Sequence, residues 1–141
     1  MRHTLVRDWM TTPVITISPQ TTLPEAHRLM TANKIRRLPV MEDDRLVGIV
    51  TRGDIRGAEA SDATSLSIWE MNYLLARLKV GEIMTPDPIT VSPTTTISEA
   101  AATMLQHKIS SLPVLGADGR LAGIITESDI FRVVVRGWDE G

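Results

Sequence analysis

Apolar residues recur at helical spacing in two corresponding stretches of the chain. In the first, Ala26 and Met30 mark one face of a helix that we expect over residues 22–33. The second stretch, residues 96–107, has the same kind of spacing. Both open with a Thr that is followed three residues later by a Glu, which is the spacing of a capping box.

Short runs rich in Ile and Val, bounded by Pro, Ser, Asp or Gly, predict strands around these helices. Turns at residues 42–45 and 116–119 join two such runs into a hairpin in each half of the chain. Each half is therefore predicted to be β-α-β-β-α, with a short helical segment ahead of it. The strands predicted before the helices are Val14–Ile17 and Pro88–Val91, and the closing helices are predicted to begin near Asp54 and Asp129.

Between the halves we expect a loop at residues 57–66 and a helix over Ile68–Leu78. Apolar side chains would lie on nearly all sides of that helix, with Leu75 on one side and Trp69 and Tyr73 on another. A helix of this kind must be buried. Either it covers the core of its own chain or it packs against a partner, and the second alternative indicates an oligomer.

The two halves are copies of one sequence unit. Residues 6–40 align with residues 80–114 without a gap, and residues 46–55 align with residues 121–130. Of these 45 aligned positions 23 are identical, which is too many for chance. An open repeat array would need more copies at a shorter spacing. We therefore expect two small units that bury a face against each other.

Composition and charge exclude several classes of protein. The chain has 141 residues, of which 43% are apolar, and its 15 basic and 17 acidic side chains give a net charge of −2. A nucleic-acid-binding protein should carry a basic excess. The chain has no cysteine, no apolar run near the ~20 residues of a membrane span, and no apolar signal-peptide core at its N-terminus. We therefore expect a cytoplasmic protein that binds neither nucleic acid nor membranes.

Signals for catalysis and metal binding are weak. The three histidines have no spacing to acids or to each other that suggests a set of metal ligands. No nucleophile elbow is present either. We expect no catalytic residues, no metal and no cofactor.

The most informative motif occurs twice, as Gly48–Ile55 and Gly123–Ile130. Each copy predicts a buried strand that leads into a helix, with Thr and Asp three residues apart at the helix start. A hydroxyl there can cap unpaired backbone N–H groups, and an acid there suits the helix dipole. The same groups can serve a ligand, because a carboxylate accepts two hydroxyl protons and free N–H groups attract an anion. Capping is the simpler role for one copy, and the second copy favours a ligand.

The doubled unit resembles a tandem pair of CBS domains, a Bateman module. Both copies contain, in order, Met-Thr-x-x-x-Ile-Thr with Ile or Val after it, Lys-Ile-x-x-Leu-Pro-Val and Gly-Ile-x-Thr-x-x-Asp-Ile. The resemblance covers about residues 6–136 and divides the chain into CBS domain 1 (6–58), a linker helix (59–79) and CBS domain 2 (80–136). Because no segment is left over for a catalytic, transport or DNA-binding domain, we expect a stand-alone CBS protein.

This resemblance implies an α+β protein with the α/β-type CBS fold, in which two β-α-β-β-α units pack sheet to sheet with pseudo-twofold symmetry. It also implies clefts between the units that bind adenosine compounds, namely AMP, ADP, ATP or S-adenosylmethionine. The ribose-binding Asp of the family falls on Asp54 and Asp129. One composite site would use Thr51, Asp54, Thr85, Thr90, Ile109 and Ser110, and the other Thr126, Ser128, Asp129, Thr11, Thr16, Ile35 and Arg36, with Arg37 at the same turn.

The two copies differ at the turn before Leu-Pro-Val. The first copy has Arg36 and Arg37 there, whereas the second has Ser110 and Ser111. Since an Arg fork matches a phosphate group, the Arg pair predicts a phosphate contact and two unequal sites. The alternative is that adjacent Arg residues at a turn are simply solvated.

The resemblance predicts a regulatory module that senses adenine nucleotides and, through them, the energy state of the cell. It would pass a change of shape to an unidentified protein target or across a homodimer, which requires the ligand to prefer one arrangement over another. The alternative is a CBS scaffold with empty clefts, whose role is association. An enzyme that turns over a nucleotide is a third hypothesis.

Overall fold

The computed structural model describes residues 4–62 and 67–140, which form two units, each built on one β-hairpin. The Asp54 unit consists of residues 15–88. The Asp129 unit consists of the described residues before 15 and after 88. The mixture of helices with antiparallel strands confirms the predicted α+β class.

The described residues form one 3₁₀ helix, six α-helices and five strands. In chain order these are the 3₁₀ helix Val6–Asp8, α1 (Leu23–Asn33), β1 (Arg37–Glu42), β2 (Arg45–Thr51), α2 (Arg52–Asp62), α3 (Ile68–Arg77), α4 (Val80–Ile83), β3 (Thr85–Pro86), α5 (Ile97–His107), β4 (Ser111–Leu115), β5 (Leu121–Thr126) and α6 (Glu127–Glu140). Among them, no helix is long and apolar enough to cross a membrane.

In the Asp54 unit, β1 and β2 form an antiparallel hairpin. Val40 pairs with Gly48, and the register shifts by one residue immediately after Val40. The turn places Asp43 and Asp44 at φ values of 50° and 64°, a conformation that Asp adopts more readily than most residues. The buried core beside the hairpin consists of Ile17, Leu23, Ala26, Met30, Leu38, Val40, Val50, Ile55 and Val80.

The Asp129 unit repeats this arrangement with β4 and β5. Val114 pairs with Gly123, and the register again shifts after Val114. The turn contains Gly119 at a φ of 79°, where a side chain would be strained. The buried core consists of Val6, Ile97, Ala100, Met104, Leu112, Val114, Ile125 and Val133.

The leading segment of each sequence copy packs on the hairpin of the other copy. Thr11 pairs with Ile124 of β5, and the two N–H···O distances are 2.9 and 3.1 Å. Thr85 in β3 pairs in the same antiparallel way with Ile49 of β2. Each unit therefore combines segments from both sequence copies. The domain bounds 6–58, 59–79 and 80–136 stay a prediction about sequence units.

This exchange explains the glycine that opens the repeated motif. A Cβ on Gly48 would lie 2.5 Å from the sulfur of Met84, and a Cβ on Gly123 would lie 2.6 Å from the sulfur of Met10. Neither distance is accessible to real atoms. The missing side chain therefore makes room for the methionine that leads the other sequence copy.

The strand predicted at Val14–Ile17 is wrong in its length. Only Ile17 forms a bridge, a parallel one to Val40 of β1, in which Ile17 N–H donates to the carbonyl of Pro39 at 3.1 Å. The next bond of a parallel ladder would need an N–H on Pro39, which proline lacks. The strand predicted at Pro88–Val91 is shortened for the same reason, since Val91 bridges Val114 beside Pro113.

The helices that begin with a capping box agree with the sequence analysis. Thr22 accepts a hydrogen bond from Glu25 N–H at 3.4 Å, and α1 ends at Asn33 as predicted. In α5 the corresponding bond joins Thr96 and Glu99 at 3.1 Å. The predicted loop at residues 57–66 is wrong over residues 57–62, because α2 continues to Asp62. Residues 63–66 of that loop lie outside the described residues.

The helix predicted at Ile68–Leu78 is observed as α3, which ends one residue earlier. Leu78 packs against the core of the Asp54 unit, whereas Trp69 and Tyr73 are 81% and 58% exposed. The side chains of Ile68 and Met71 lie outside the described residues. The chain therefore covers one side of this region and leaves its aromatic side in solvent.

Candidate functional site

Asp54 and Thr51 cap the start of α2 reciprocally. Thr51 N–H donates to Oδ2 of Asp54 at 2.9 Å, and Asp54 N–H donates to Oγ1 of Thr51 at 3.1 Å. The capping role expected from the motif is therefore present. Within residues 4–62 and 67–140, no group donates to Oδ1 of Asp54, so this oxygen can still accept a hydrogen bond from a ligand.

Asp129 occupies the same place at the start of α6 but has different partners. Its Oδ2 accepts from both Thr126 N–H, at 2.9 Å, and Thr126 Oγ1, at 3.2 Å. Its Oδ1 accepts from the guanidinium of Arg132 one turn further along the helix. The Asp129 side chain is 2% exposed, so this carboxylate is more enclosed than the half-buried Asp54.

The turn before each Leu-Pro-Val strand lies against the helix start. The carbonyl of Arg36 accepts from Arg52 N–H at 2.8 Å, and the carbonyl of Ser110 accepts from Glu127 N–H at 3.0 Å. This bond ties the turn to the first residue of the helix that carries the Asp. In the Asp54 unit it places an exposed Arg36 close to the Thr51–Asp54 pair.

The residue after each turn is paired with the Thr of the repeated motif. Arg37 pairs with Thr51 across the β1–β2 hairpin, and Ser111 pairs with Thr126 across the β4–β5 hairpin. Ile35 and Ile109, at the starts of the turns, are half-buried and pack against the cores of their own units. An apolar side chain, a turn backbone and a carboxylate therefore come together in each unit.

Two further pairs of threonines border these groups. Thr85 and Thr11 are both exposed. Thr85 in β3 pairs with the β2 residue that lies two positions before Thr51. Thr11 bridges the β5 residue that lies two positions before Thr126. Thr16 and Thr90 each precede the bridging residue of the extended segment. Thr16 is exposed and Thr90 is half-buried.

The predicted site residues divide equally between the units. The Asp54 unit contains Thr16, Ile35, Arg36, Arg37, Thr51, Asp54 and Thr85, and the Asp129 unit contains Thr11, Thr90, Ile109, Ser110, Thr126, Ser128 and Asp129. Of the two composite sets expected from the family resemblance, Thr85 shares a unit with Asp54, and Thr11 shares a unit with Asp129. The full membership of each set stays a prediction.

Arg132 is a residue of this region that the sequence analysis missed. Its position three residues after Asp129 predicts contact on a helix, and that spacing was the available signal. The position lies just beyond the aligned parts of the two copies, which end at residue 130, and the first copy has Gly57 there. No three acidic or histidine side chains of the described ranges group as a metal site.

Comparison with known proteins identifies the family. The CBS domain model matches residues 6–61 and 80–136. An inosine-5'-monophosphate dehydrogenase of Korarchaeum cryptofilum is 42% identical to this chain over 118 residues. That match covers 84% of this chain, which spans only 22% of the length of that enzyme.

Two solved structures of CBS proteins are similar to this one over nearly the whole chain. The CBS domain pair of protein MJ0100, in complex with 5'-methylthioadenosine and S-adenosyl-L-methionine, has a TM-score of 0.81 and 30% identity, covering 95% of this chain and 98% of that one. CBSX2 of Arabidopsis thaliana in complex with AMP has a TM-score of 0.78 and 30% identity, covering 94% and 97%. With both halves matched by the family model, this chain belongs to the CBS domain family and carries a pair of CBS domains.

Proposed function

We propose that this chain is a regulatory module that binds adenosine compounds, with Asp54 and Asp129 receiving ribose hydroxyls. The observation that carries the proposal is the pair of carboxylates held at the same place in both units. In each, Oδ2 accepts from the backbone N–H of the Thr three residues earlier, and this holds the carboxylate against the helix start. A carboxylate accepts hydrogen bonds only, which suits the two donors of a ribose diol.

The solved relatives support the chemical class of the ligand. CBSX2 was solved with AMP, and the MJ0100 domain pair with 5'-methylthioadenosine and S-adenosyl-L-methionine. These compounds share an adenosine group and differ in the substituent that the ribose carries. AMP, ADP, ATP and S-adenosylmethionine are therefore the candidates for this chain, bound as ligands whose level is sensed.

We assign phosphate recognition to the turn of the Asp54 unit that carries Arg36, although the family resemblance groups Arg36 with Asp129. Arg36 is exposed and its backbone is bonded to the start of α2. A guanidinium and a helix N-terminus both favour an anion. Ser110 at the corresponding turn of the Asp129 unit has no charge, so the two turns suit ligands that differ in their number of phosphates.

The experiment is an isothermal titration of ligand-free protein with AMP, ADP, ATP and S-adenosylmethionine. Asp54→Asn and Asp129→Asn each leave an oxygen that can accept from the Thr backbone N–H, but remove the charge and one acceptor oxygen. They are therefore better variants than alanine substitutions, which would also remove the bond between the side chain and the Thr N–H. Micromolar binding that each variant reduces by one site supports the proposal, and unchanged binding in both variants overturns the site assignment.

A non-catalytic role and a homodimer belong to the same proposal. The match to the dehydrogenase covers only 22% of that enzyme, so catalysis is not carried over to this chain. Trp69, Tyr73 and Leu74 on α3 are exposed and line a surface groove with Glu70, which a second copy of the chain could cover. Incubation with each nucleotide should leave it intact, and sedimentation should give twice the mass of the chain.

The scaffold is the second candidate, and the exposed aromatic side chains of α3 favour it. It predicts the same dimer with no heat from any of the four ligands. A cytoplasmic location is also proposed, and fluorescence microscopy of the tagged protein in its own cells would test it. A protein target would then be sought with ligand present and absent.

A further inference from the structure

The two repeated carboxylates differ in one contact that the sequence repeat does not share. Arg132 donates to Oδ1 of Asp129, and its side chain is 63% exposed while that of Asp129 is 2% exposed. The residue in the same place after Asp54 is Gly57. Among the described side chains of α2, none pairs with the Asp54 carboxylate in the way that Arg132 pairs with Asp129.

This contact uses the acceptor that a diol would need. A carboxylate binds the two hydroxyls of a ribose by accepting from both, and this calls for free lone pairs on its oxygens. At Asp129, the N–H and hydroxyl of Thr126 use both acceptor positions of Oδ2, and Arg132 uses one of the two on Oδ1, so one position is left for two hydroxyls. At Asp54, Thr51 N–H uses one position on Oδ2, and no group of the described ranges donates to Oδ1.

We propose that Arg132 competes with ligand for Asp129, so that the Asp54 unit binds an adenosine compound more tightly than the Asp129 unit. This inference rests on the proposed function and adds an order of filling to it. An ion pair whose Arg is largely exposed is weak enough to be displaced. The need to displace Arg132 lowers the affinity of the Asp129 unit for the ligand by about five-fold, which corresponds to about 1 kcal/mol at 25 °C.

Each unit can be measured alone in the full chain. Asp54→Asn leaves the Asp129 unit as the binding site, and Asp129→Asn leaves the Asp54 unit. Adenosine is the probe, because it has the ribose hydroxyls but no phosphate that Arg132 could attract once released. The affinity is measured by isothermal titration, and circular dichroism melts confirm that every variant is folded.

The contact is then removed from one unit and transferred to the other. In the Asp54→Asn protein, adding Arg132→Ala should tighten adenosine binding about five-fold. In the Asp129→Asn protein, adding Gly57→Arg should weaken it by a similar factor. Gly57 is a sound recipient, because a Cβ there meets no atom within 4 Å. Arg136→Ala, which removes another cation of α6, is the control and should change nothing.

The outcomes separate this inference from the proposed function. If adenosine binds but Arg132→Ala leaves its affinity unchanged or weaker, Arg132 does not compete, and the inference is overturned while the proposed function stands. If the Asp54→Asn protein binds adenosine as tightly as the Asp129→Asn protein, the inequality of the units is overturned. If adenosine and AMP give no heat with the parent protein or any variant, the proposed function fails and this inference fails with it.

Discussion

Replacing Gly123 with alanine tests the docking of a leading segment on the hairpin of the other sequence copy. The added methyl group would lie 2.6 Å from the sulfur of Met10 and 2.9 Å from the carbonyl oxygen of Thr11. The side chain of Met10 can rotate away. The carbonyl of Thr11 cannot move as easily, because it accepts a hydrogen bond from Ile124 N–H at 3.1 Å.

The cost depends on this distinction between side chain and backbone. Inserting a methyl group into a packed site costs about 1–3 kcal/mol. Because the Thr11–Ile124 bridge must also shift, we expect the Gly123→Ala change to lower the free energy of unfolding by about 2 kcal/mol. With a urea dependence of roughly 2 kcal/mol per molar, the unfolding midpoint should fall by about 1 M.

Gly57→Ala is the matched control, measured by the same urea titration followed by circular dichroism. Gly57 lies inside α2 with open space around its Cβ position, so alanine should stabilise the protein by up to about 1 kcal/mol. The two glycine-to-alanine changes are therefore expected to have opposite signs. A Gly123→Ala protein as stable as the parent would refute the packing of Met10 and Thr11 against β5.

Three other changes give measurable outcomes. Thr96→Ala should lower the free energy of unfolding by about 1 kcal/mol, because the cap of α5 is lost, whereas Thr96→Ser should keep the cap. Thermal melts measure both, and an alanine variant as stable as the parent would contradict the cap. Met104→Ala should lower the free energy of unfolding by about 2–5 kcal/mol, because Met104 is buried. Leu105→Ala, at the exposed neighbouring position, should lower it by less than about 0.5 kcal/mol, and similar values for the two would contradict the burial of this face of α5. Arg36→Ser should weaken AMP binding about five-fold and leave adenosine binding unchanged in titrations, and equal effects on both ligands would exclude a phosphate contact.

Local chemistry determined the elements that sequence analysis predicted well. Capping boxes at Thr22 and Thr96 marked where α1 and α5 begin, because a hydroxyl bonded to the third N–H of a helix is a local interaction. The hairpins were predicted equally well from apolar runs flanking a polar turn. The leading strands were overestimated, because their length depends on Pro39 and Pro113 in a strand distant in sequence.

The exchange of leading segments could not have been predicted from the repeat. Met10 and Met84 are identical residues, as are Gly48 and Gly123, so either methionine fits against either glycine. Internal similarity identifies matching parts but not which copy each part packs on. Which hairpin each leading segment packs on therefore depends on the path of the whole chain and not on the local sequence.

The residues of the candidate site were also predicted only in part. Thr51, Asp54, Thr126 and Asp129 were predicted from a motif that repeats within the chain, and the structure bonds each Thr to its Asp. Arg132 escaped prediction because it has no counterpart in the first copy. A comparison of repeats detects what two units share, whereas unequal function depends on what they do not share.

A carboxylate in each unit is proposed to receive ribose hydroxyls, and the most direct measurement of this contact compares AMP with 2'-deoxy-AMP by isothermal titration. Removing one hydroxyl should weaken binding by about ten- to a hundred-fold in the Asp129→Asn protein, since a hydrogen bond to a charged group contributes about 1.5–3 kcal/mol. The Asp54→Asn, Asp129→Asn double variant should not bind either compound. Equal affinity for AMP and 2'-deoxy-AMP, or tight binding by the double variant, would contradict the account.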